Sequence, residues 1–386
     1  MGIRESDGYN AAMPLARRDF ARIGILGGGQ LGQMMMLAGI PLGFQFGILT
    51  PSRDDPAARL ALHHEPGTLD DDAAIHRLVS WADVTTYEIE HVNTDALQAA
   101  ENAGGLILPR PALLGTINDK LEQKRVLQAA GIPVPGIAVQ PQSYPIVQKL
   151  RRGGYDGRGV KILRDDRDRP LDGASYCEEL VEFERELAVI VARSTSGETT
   201  TYPVVEMEFD ADANICARVI APARIEPSQE TSAREVALAA VEALDGVGVL
   251  AVELFLARDG QILVNEIAPR PHNSGHLTIE ACATSQFEQH LRAITGLPLG
   301  ETALRSAAVM VNVLGDSGAC GRPRLPAIDR LLERPGVHLH WYGKTEVRPY
   351  RKMGHVTVVA DDLDDALTTA QEILPETRVT GGADDR

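Results

Sequence analysis

The stretch from Ile146 to Leu163 constrains this chain most. Ile146 to Leu150 is strand-like and delivers Lys149. Arg151-Arg152-Gly153-Gly154-Tyr155-Asp156-Gly157-Arg158-Gly159 follows, and Gly159 to Leu163 reads as a second strand. Four glycines let a backbone close over polyphosphate without Cβ clashes. Lys149 can meet phosphate as a point charge, and Arg158 can hold an oxyanion bidentately. No helix follows and G-K-[ST] is absent, so this is not a Walker A loop. The alternatives are a phosphate flap between two strands and a solvated basic hairpin.

Val249 to Ala257 and Gln261 to Ile267 alternate apolar and polar residues around the turn Arg258-Asp259-Gly260, the pattern of a β-hairpin. Glu253 and Glu266 interrupt its apolar run. Burying two unpaired carboxylates on adjacent strands costs several kcal/mol, on the order expected for uncompensated charge. A divalent cation removes that cost, and Mg²⁺ is commonly held by one or two carboxylates plus nucleotide phosphates. Two outward-facing surface glutamates are the plainer reading. Ala268-Pro269-Arg270-Pro271-His272-Asn273-Ser274-Gly275-His276 follows directly. Its histidines could suggest zinc, but carboxylates without thiolates fit a hard metal better. Lys344 to Lys352 is a compact basic cluster, either a phosphate anchor or a solvated loop.

Near the start, the strand-like Arg22 to Leu26 runs into Gly27-Gly28-Gly29-Gln30-Leu31-Gly32 and an apolar segment, the first half of a βαβ unit. Such a turn can bind phosphate through open backbone N–H groups. It can also be a tight turn only. Thr50-Pro51-Ser52 stands where an NAD site would place an acidic ribose ligand. Phe44 to Thr50 and Val84 to Tyr87 read as strands, and Asp72 to Trp81 and Asp119 to Ala130 as helices. Glu186 to Ala192 and Thr200 to Glu206 read as strands, Ser232 to Leu244 and Thr278 to Thr295 as helices, and His338 to Tyr342 and His355 to Ala360 as late strands. At 386 residues, two or three domains are expected. The divisions are an extension over 1–20, a parallel-sheet domain over 21–118, a small α+β lobe over 119–202 and a larger lobe over 203–386.

The formal charge is 38 − 54 = −16 and aromatics are 4%. Neither suits a nucleic-acid surface. Cys177, Cys216, Cys282 and Cys320 show no C-x-x-C spacing, so buried free thiols in a reducing cytoplasm are expected. No apolar run is long enough to span a membrane, and no secretory signal is evident.

Lysine on a strand, a glycine flap, then two acidic strand residues resembles the ATP-grasp superfamily. Gly-Gly-Gly-Gln-Leu-Gly, Arg-Arg-Gly-Gly-Tyr-Asp-Gly-Arg-Gly, Asn-Glu-Ile-Ala-Pro-Arg-Pro-His-Asn-Ser-Gly-His and Trp-Tyr-Gly-Lys…Arg-Lys-Met-Gly-His resemble, more narrowly, the N5-carboxyaminoimidazole ribonucleotide synthetases of purine biosynthesis. The resemblance runs from about Arg22 to about Ala360. It implies an ATP-grasp fold, α/β and α+β, behind a Rossmann-like first domain. The implied reaction joins 5-aminoimidazole ribonucleotide, bicarbonate and ATP into the N5-carbamate, ADP and phosphate through carboxyphosphate. It implies Mg²⁺, with Mn²⁺ as an alternative, and a cytoplasmic homodimer with small-molecule partners.

By motif, the resemblance gives Lys120 and Lys149 to the ATP phosphates, with the flap Gly153 to Gly159 (Gly154, Gly157 and Gly159 included) closing over them. Glu178 matches an adenine contact, Val181 a hinge contact and Glu186 the ribose ligand. Glu253 and Glu266 match the metal ligands, with Asn265 nearby. Arg270 and His272 match the bicarbonate pocket. Tyr155, Asp156, Arg158, Lys344 and Arg351 match the ribonucleotide site, which Gln30, Leu31, Glu88 and Asn273 complete. Three departures stand out: Phe209 where many relatives carry histidine after the Pro-Val-Val-Glu stretch, a charged segment from Arg164 to Pro170, and the first 20 residues. The competing readings are another ATP-grasp ligase (a formate-dependent transformylase or a biotin-type carboxylase), a non-catalytic nucleotide-binding regulator and an NAD-dependent oxidoreductase.

Overall fold

The computed structural model describes residues 21–138, 144–154, 159–210 and 215–382. The first domain holds a four-stranded parallel sheet, in the order His63–Pro66, Gln45–Thr50, Arg22–Leu26, Val84–Tyr87. The two central strands are almost wholly apolar because helices cover both faces. Asp71 accepts from Ala74 N and starts the helix Asp72–Trp81, and Asn93 does the same for Thr94–Asn102. On the other face, Met34, Met35 and Met36 of the helix Gln30–Gly39 pack with Phe46, Phe287 and Leu291. The last two lie on the distant helix Gln286–Thr295, so this core joins the first domain to the large lobe.

The small lobe is an antiparallel sheet in the order Ile137–Ala138, Ser175–Glu179, Ile146–Leu150, Val160–Leu163. The main path of the large sheet runs Ile262–Ala268, Gly248–Ala257, Phe183–Arg193, Val205–Phe209, Cys216–Ala221, Ala307–Gly315, Lys352–Ala360, Val337–Trp341. Ala233, Ala237, Ala240 and Val241 of the helix Pro227–Ala243 close one face of it.

The structure differs from the sequence expectation in three places. Phe183–Arg193 and Thr199–Thr201, assigned to the small lobe, pair within the large sheet. The single strand over Thr200 to Glu206 is two strands, parted at Pro203, which has no N–H for a ladder. The helix over Thr278 to Thr295 is Thr278–Ala281 and Gln286–Thr295. Ser285 accepts from Glu288 N and starts the second afresh. Cys177, Cys216 and Cys282 are buried and in no disulfide, as expected, whereas Cys320 is exposed. Among the described residues no helix is long and apolar enough to cross a membrane.

His290 ties the first domain to the large sheet. Its Nδ1 accepts from Val249 N at 3.0 Å, so its proton sits on Nε2, 2.8 Å from Thr86 Oγ1. Burial pushes its pKa down to about 3. An unfolded histidine titrates near ~6.5, so between those values the unfolded chain binds a proton that the native one refuses. Stability therefore falls as pH drops from about 6.5 to about 3. Between pH 7 and pH 4.5 the loss from this group is about 2–3 kcal/mol. Denaturant titrations at the two pH values should show a smaller loss in His290→Gln than in the wild type.

Candidate active site

A cleft of about 770 Å³ opens where the three sheets meet. Gln30, Leu31 and Glu88 line it from the first domain, and Lys120 and Gly154 from the small-lobe side. Glu253, Glu266, Arg270, His272, Asn273, Lys344 and Arg351 line it from the large lobe. Residues over 250 positions apart in sequence thus share one cleft. Tyr155, Asp156, Gly157 and Arg158 lie outside the described residues. Gly153 and Gly159, which flank them, have φ of 79° and 78°, where a side chain would strain the backbone.

Beneath the cleft is a ladder of lysines. Glu178, only 2% exposed, places Oε2 2.6 Å from Lys149 Nζ and Oε1 3.2 Å from Lys124 Nζ, and accepts from the Tyr176 hydroxyl. Lys149 Nζ also donates to Asn265 Oδ1 at 2.9 Å, and Lys124 Nζ to Val264 O at 2.7 Å. Lys120 pairs with Glu266. Burial lowers the Lys124 pKa to about 7, opposed by Glu178. Burial would raise Glu178, but Lys124 and Lys149 outweigh it and hold the carboxyl below its usual range. The Glu178 carboxylate, matched by motif to an adenine contact, is engaged with Lys124 and Lys149. Glu178→Ala would leave two lysines buried without their counter-ion and should cost about 3–5 kcal/mol in urea unfolding. Glu178→Gln, which retains an acceptor, should lose less. Sequence reasoning missed Lys124, although it stands one helical turn after Lys120 and so on the same face.

Glu253 and Glu266 are direct cross-strand partners, with a register irregularity at Glu253/Leu254. Burial, then the charges of Glu266 and Glu186, pushes Glu253 well above the usual carboxylate range. Burial works on Glu266 too, but Lys120 overrides it and holds that carboxyl low. The two carboxyls are thus pushed in opposite directions, as expected of like charges sharing a site. This oxygen pair fits a hard cation such as Mg²⁺. Among the described residues no group of three or more His, Cys, Asp or Glu could hold a metal by itself. Other oxygens, such as nucleotide phosphates, must therefore complete a cation's shell. Glu186 lies on the strand beside Glu253, its pKa raised to about 7, mainly by burial. Val181 lies half-buried on the link between Ser175–Glu179 and Phe183–Arg193.

Beyond the carboxylates the chain turns sharply. His272 Nδ1 accepts from Ser274 N at 3.3 Å, which puts its proton on Nε2, 3.3 Å from Glu253 Oε1. The amide of Gln286 clamps the His272 backbone, accepting from its N at 2.9 Å and donating to its O at 2.6 Å. Gln286 escaped sequence reasoning because it sat inside an assumed continuous helix. Asn273 is held by reciprocal amide bonds with Asn312. Arg270 Nη2 meets Glu90 Oε1 at 2.7 Å. In the same cleft Lys344 Nζ donates to Lys352 O at 2.6 Å and lies 5.5 Å from the Tyr342 ring, while Arg351 donates to Glu346 O at 2.7 Å. Phe209 lines the same cleft.

The glycine turn differs from its phosphate reading. Glu88 accepts from Gly29 N and, at 2.8 Å, from Gly32 N, so the anion on this helix N-terminus is the protein's own carboxylate. A Cβ on Gly27 or Gly29 would come within 2.6 Å of Glu88, which is why glycine stands at both.

The fold and site define an ATP-using enzyme of the ATP-grasp class. The ATP-grasp domain family matches residues 136–287, the ribonucleotide synthetase preATP-grasp domain 20–118, and the phosphoribosylaminoimidazole carboxylase C-terminal domain 308–369. The N5-carboxyaminoimidazole ribonucleotide synthase of Synechococcus elongatus is 42% identical over 355 residues, spanning 87% of this chain and 89% of its own. The crystal structure of the Thermotoga maritima synthetase matches with TM-score 0.88 and 47% identity, covering 94% of this chain and all of that one. An Aspergillus clavatus synthase, solved with ADP and 5-aminoimidazole ribonucleotide, matches with TM-score 0.82 and 34% identity over 93% and 99% of the two chains. The chain spans 64% of the longer phosphoribosylaminoimidazole carboxylase of Vigna aconitifolia, to which it is 40% identical. The chain belongs to the N5-carboxyaminoimidazole ribonucleotide synthase family.

Proposed function

We propose that the chain carboxylates 5-aminoimidazole ribonucleotide with bicarbonate at the expense of ATP, releasing N5-carboxyaminoimidazole ribonucleotide, ADP and phosphate. One observation carries the reading. The Glu253–Glu266 pair faces Lys120 in the same cleft that Arg270, His272, Lys344 and Arg351 line. That arrangement seats a triphosphate, a small oxyanion and a phosphorylated acceptor within reach of one another.

Bicarbonate is a poor electrophile. Its oxygen attacks the γ-phosphorus, the bond to ADP breaks, and carboxyphosphate forms. The exocyclic amine of the ribonucleotide then attacks the carboxyl carbon, or CO₂ released from it; phosphate leaves and the amine loses a proton. Lys120 and Lys149 counter the phosphoryl charge, and their ion pairs pre-set them for it. Arg270 and His272 hold bicarbonate beside the triphosphate. Lys344 and Arg351 anchor the ribonucleotide phosphate, and Gln30, Leu31, Glu88 and Asn273 wall its base. Gly154 begins the segment that excludes water. Mg²⁺ held by Glu253 and Glu266 would supply further charge neutralisation on the transferring group. Glu186 and Val181 are assigned to the nucleoside, and Tyr155, Asp156 and Arg158 to the acceptor side. The same reading makes the enzyme a cytoplasmic homodimer, supported by the family resemblance; light scattering tests the dimer.

Turnover with bicarbonate carrying heavy oxygen is the test. The reading requires one labelled oxygen in the released phosphate. Phosphate labelled only from solvent water would refute it.

A further inference from the structure

We propose that Glu90 is a positioning residue for bicarbonate. This rests on the bicarbonate role read above for Arg270. Arg270 lies just past the end of Ile262–Ala268. Its Nη2 is 2.7 Å from Glu90 Oε1, and its Nη1 donates to Pro271 O at 3.0 Å. Glu90 belongs to the other side of the cleft, in the turn after Val84–Tyr87. Its backbone O accepts from Asn118 Nδ2 at 2.9 Å, where the helix Pro111–Asn118 ends just before Lys120. One first-domain residue therefore joins the end of the helix before Lys120 to the Arg270 guanidinium.

An ordinary exposed ion pair contributes little. This one lies in the cleft wall, with side chains 17% and 21% exposed, and it bridges two domains. A guanidinium is a planar fork that reads a planar oxyanion best from its own plane. The contacts to Glu90 and to Pro271 O fix that plane. Bicarbonate has no other handle than its three oxygens, and small errors of aim against a phosphorus are costly in rate. Glu88, two residues earlier, sits on the glycine turn, so a single short segment shapes both the acceptor wall and the bicarbonate corner.

The test is steady-state ADP release in carbonate-depleted buffer, with each substrate varied in turn, for the wild type, Glu90→Gln and Glu90→Asp. Glu90→Gln keeps the shape and removes the charge. Its bicarbonate KM should rise about tenfold, the scale of one charge-assisted hydrogen bond, while the ATP and ribonucleotide KM stay within about twofold. Glu90→Asp should recover part of the loss. Glu90→Gln added to Arg270→Lys should cause no further rise, because Glu90 acts through Arg270. An unchanged bicarbonate KM in Glu90→Gln would overturn the proposal, as would an equal rise in all three KM values, the mark of an interdomain clasp only. If Glu90→Gln fails to melt cooperatively, Glu90→Asp carries the same readout. A wild type without bicarbonate-dependent ADP release would instead sink the functional reading itself.

Discussion

Replacing Glu266 with alanine should reduce ADP formation by about a thousandfold or more. The side chain does two jobs that no neighbour can take over. It is the member of the Glu253–Glu266 pair whose carboxyl is held low, because Lys120 outweighs its desolvation. It is also the counter-ion that holds Lys120 in the cleft. Alanine removes an oxygen donor of the proposed metal site and leaves the half-buried Lys120 ammonium without its partner. Losing one preorganised electrostatic group typically costs a factor of about 10²–10³, and loss of a metal costs more. Burial would then favour loss of the Lys120 proton, weakening its hold on phosphate. A coupled ADP assay across a Mg²⁺ titration, with calorimetry for ATP binding, separates the two jobs. Near-normal ADP release from Glu266→Ala would defeat the metal assignment. The milder Glu266→Gln keeps the volume and a weak contact to Lys120, and should bind ATP better than the alanine variant while remaining slow.

Lys344→Ala carries the second large effect, and it should fall on a different substrate. Lys344 is set by Lys352 O and by the Tyr342 ring, which is itself fixed by a 2.9 Å bond between its hydroxyl and His355 Nδ1. A rigidly presented ammonium loses little freedom when it meets a phosphate. Removing one such contact costs about 1.5–3 kcal/mol, or roughly ten- to a hundredfold in affinity. The ribonucleotide KM should rise by that factor while the ATP KM stays unchanged, since Lys120, Lys124 and Lys149 are held by their own partners, Glu266, Glu178 and Asn265. A ribonucleotide KM equal to that of the wild type would remove Lys344 as the anchor.

Much of this architecture was readable from the chain, because its signals are local. Strand, glycine turn and helix at Arg22 to Gly39, the hairpin carrying Glu253 and Glu266, and the capped helix at Asp72 each announce themselves within a dozen residues. What escaped depends on distant partners. Glu178 enters the sequence reading only as a motif match, and only the fold brings Lys124 and Lys149 onto it from two other elements. The glycine turn reads as a phosphate cradle until Glu88, 59 positions away, takes its N–H groups. The break before Gln286 was hidden because the apolar spacing continues through it, and the Ser285 cap was the one local warning. Membership of Phe183–Arg193 in the large sheet is likewise a matter of pairing, which a strand pattern alone does not specify.

The most direct test of the central claim is ADP formation at saturating ATP and bicarbonate, with and without 5-aminoimidazole ribonucleotide. Strong stimulation by the ribonucleotide is the predicted result. It would place the acceptor, the oxyanion and the triphosphate in the one cleft lined by Lys120, Glu266, Arg270 and Lys344. An ADP rate indifferent to the ribonucleotide, from folded protein that still binds ATP, would contradict the account and point to another acceptor on the same fold.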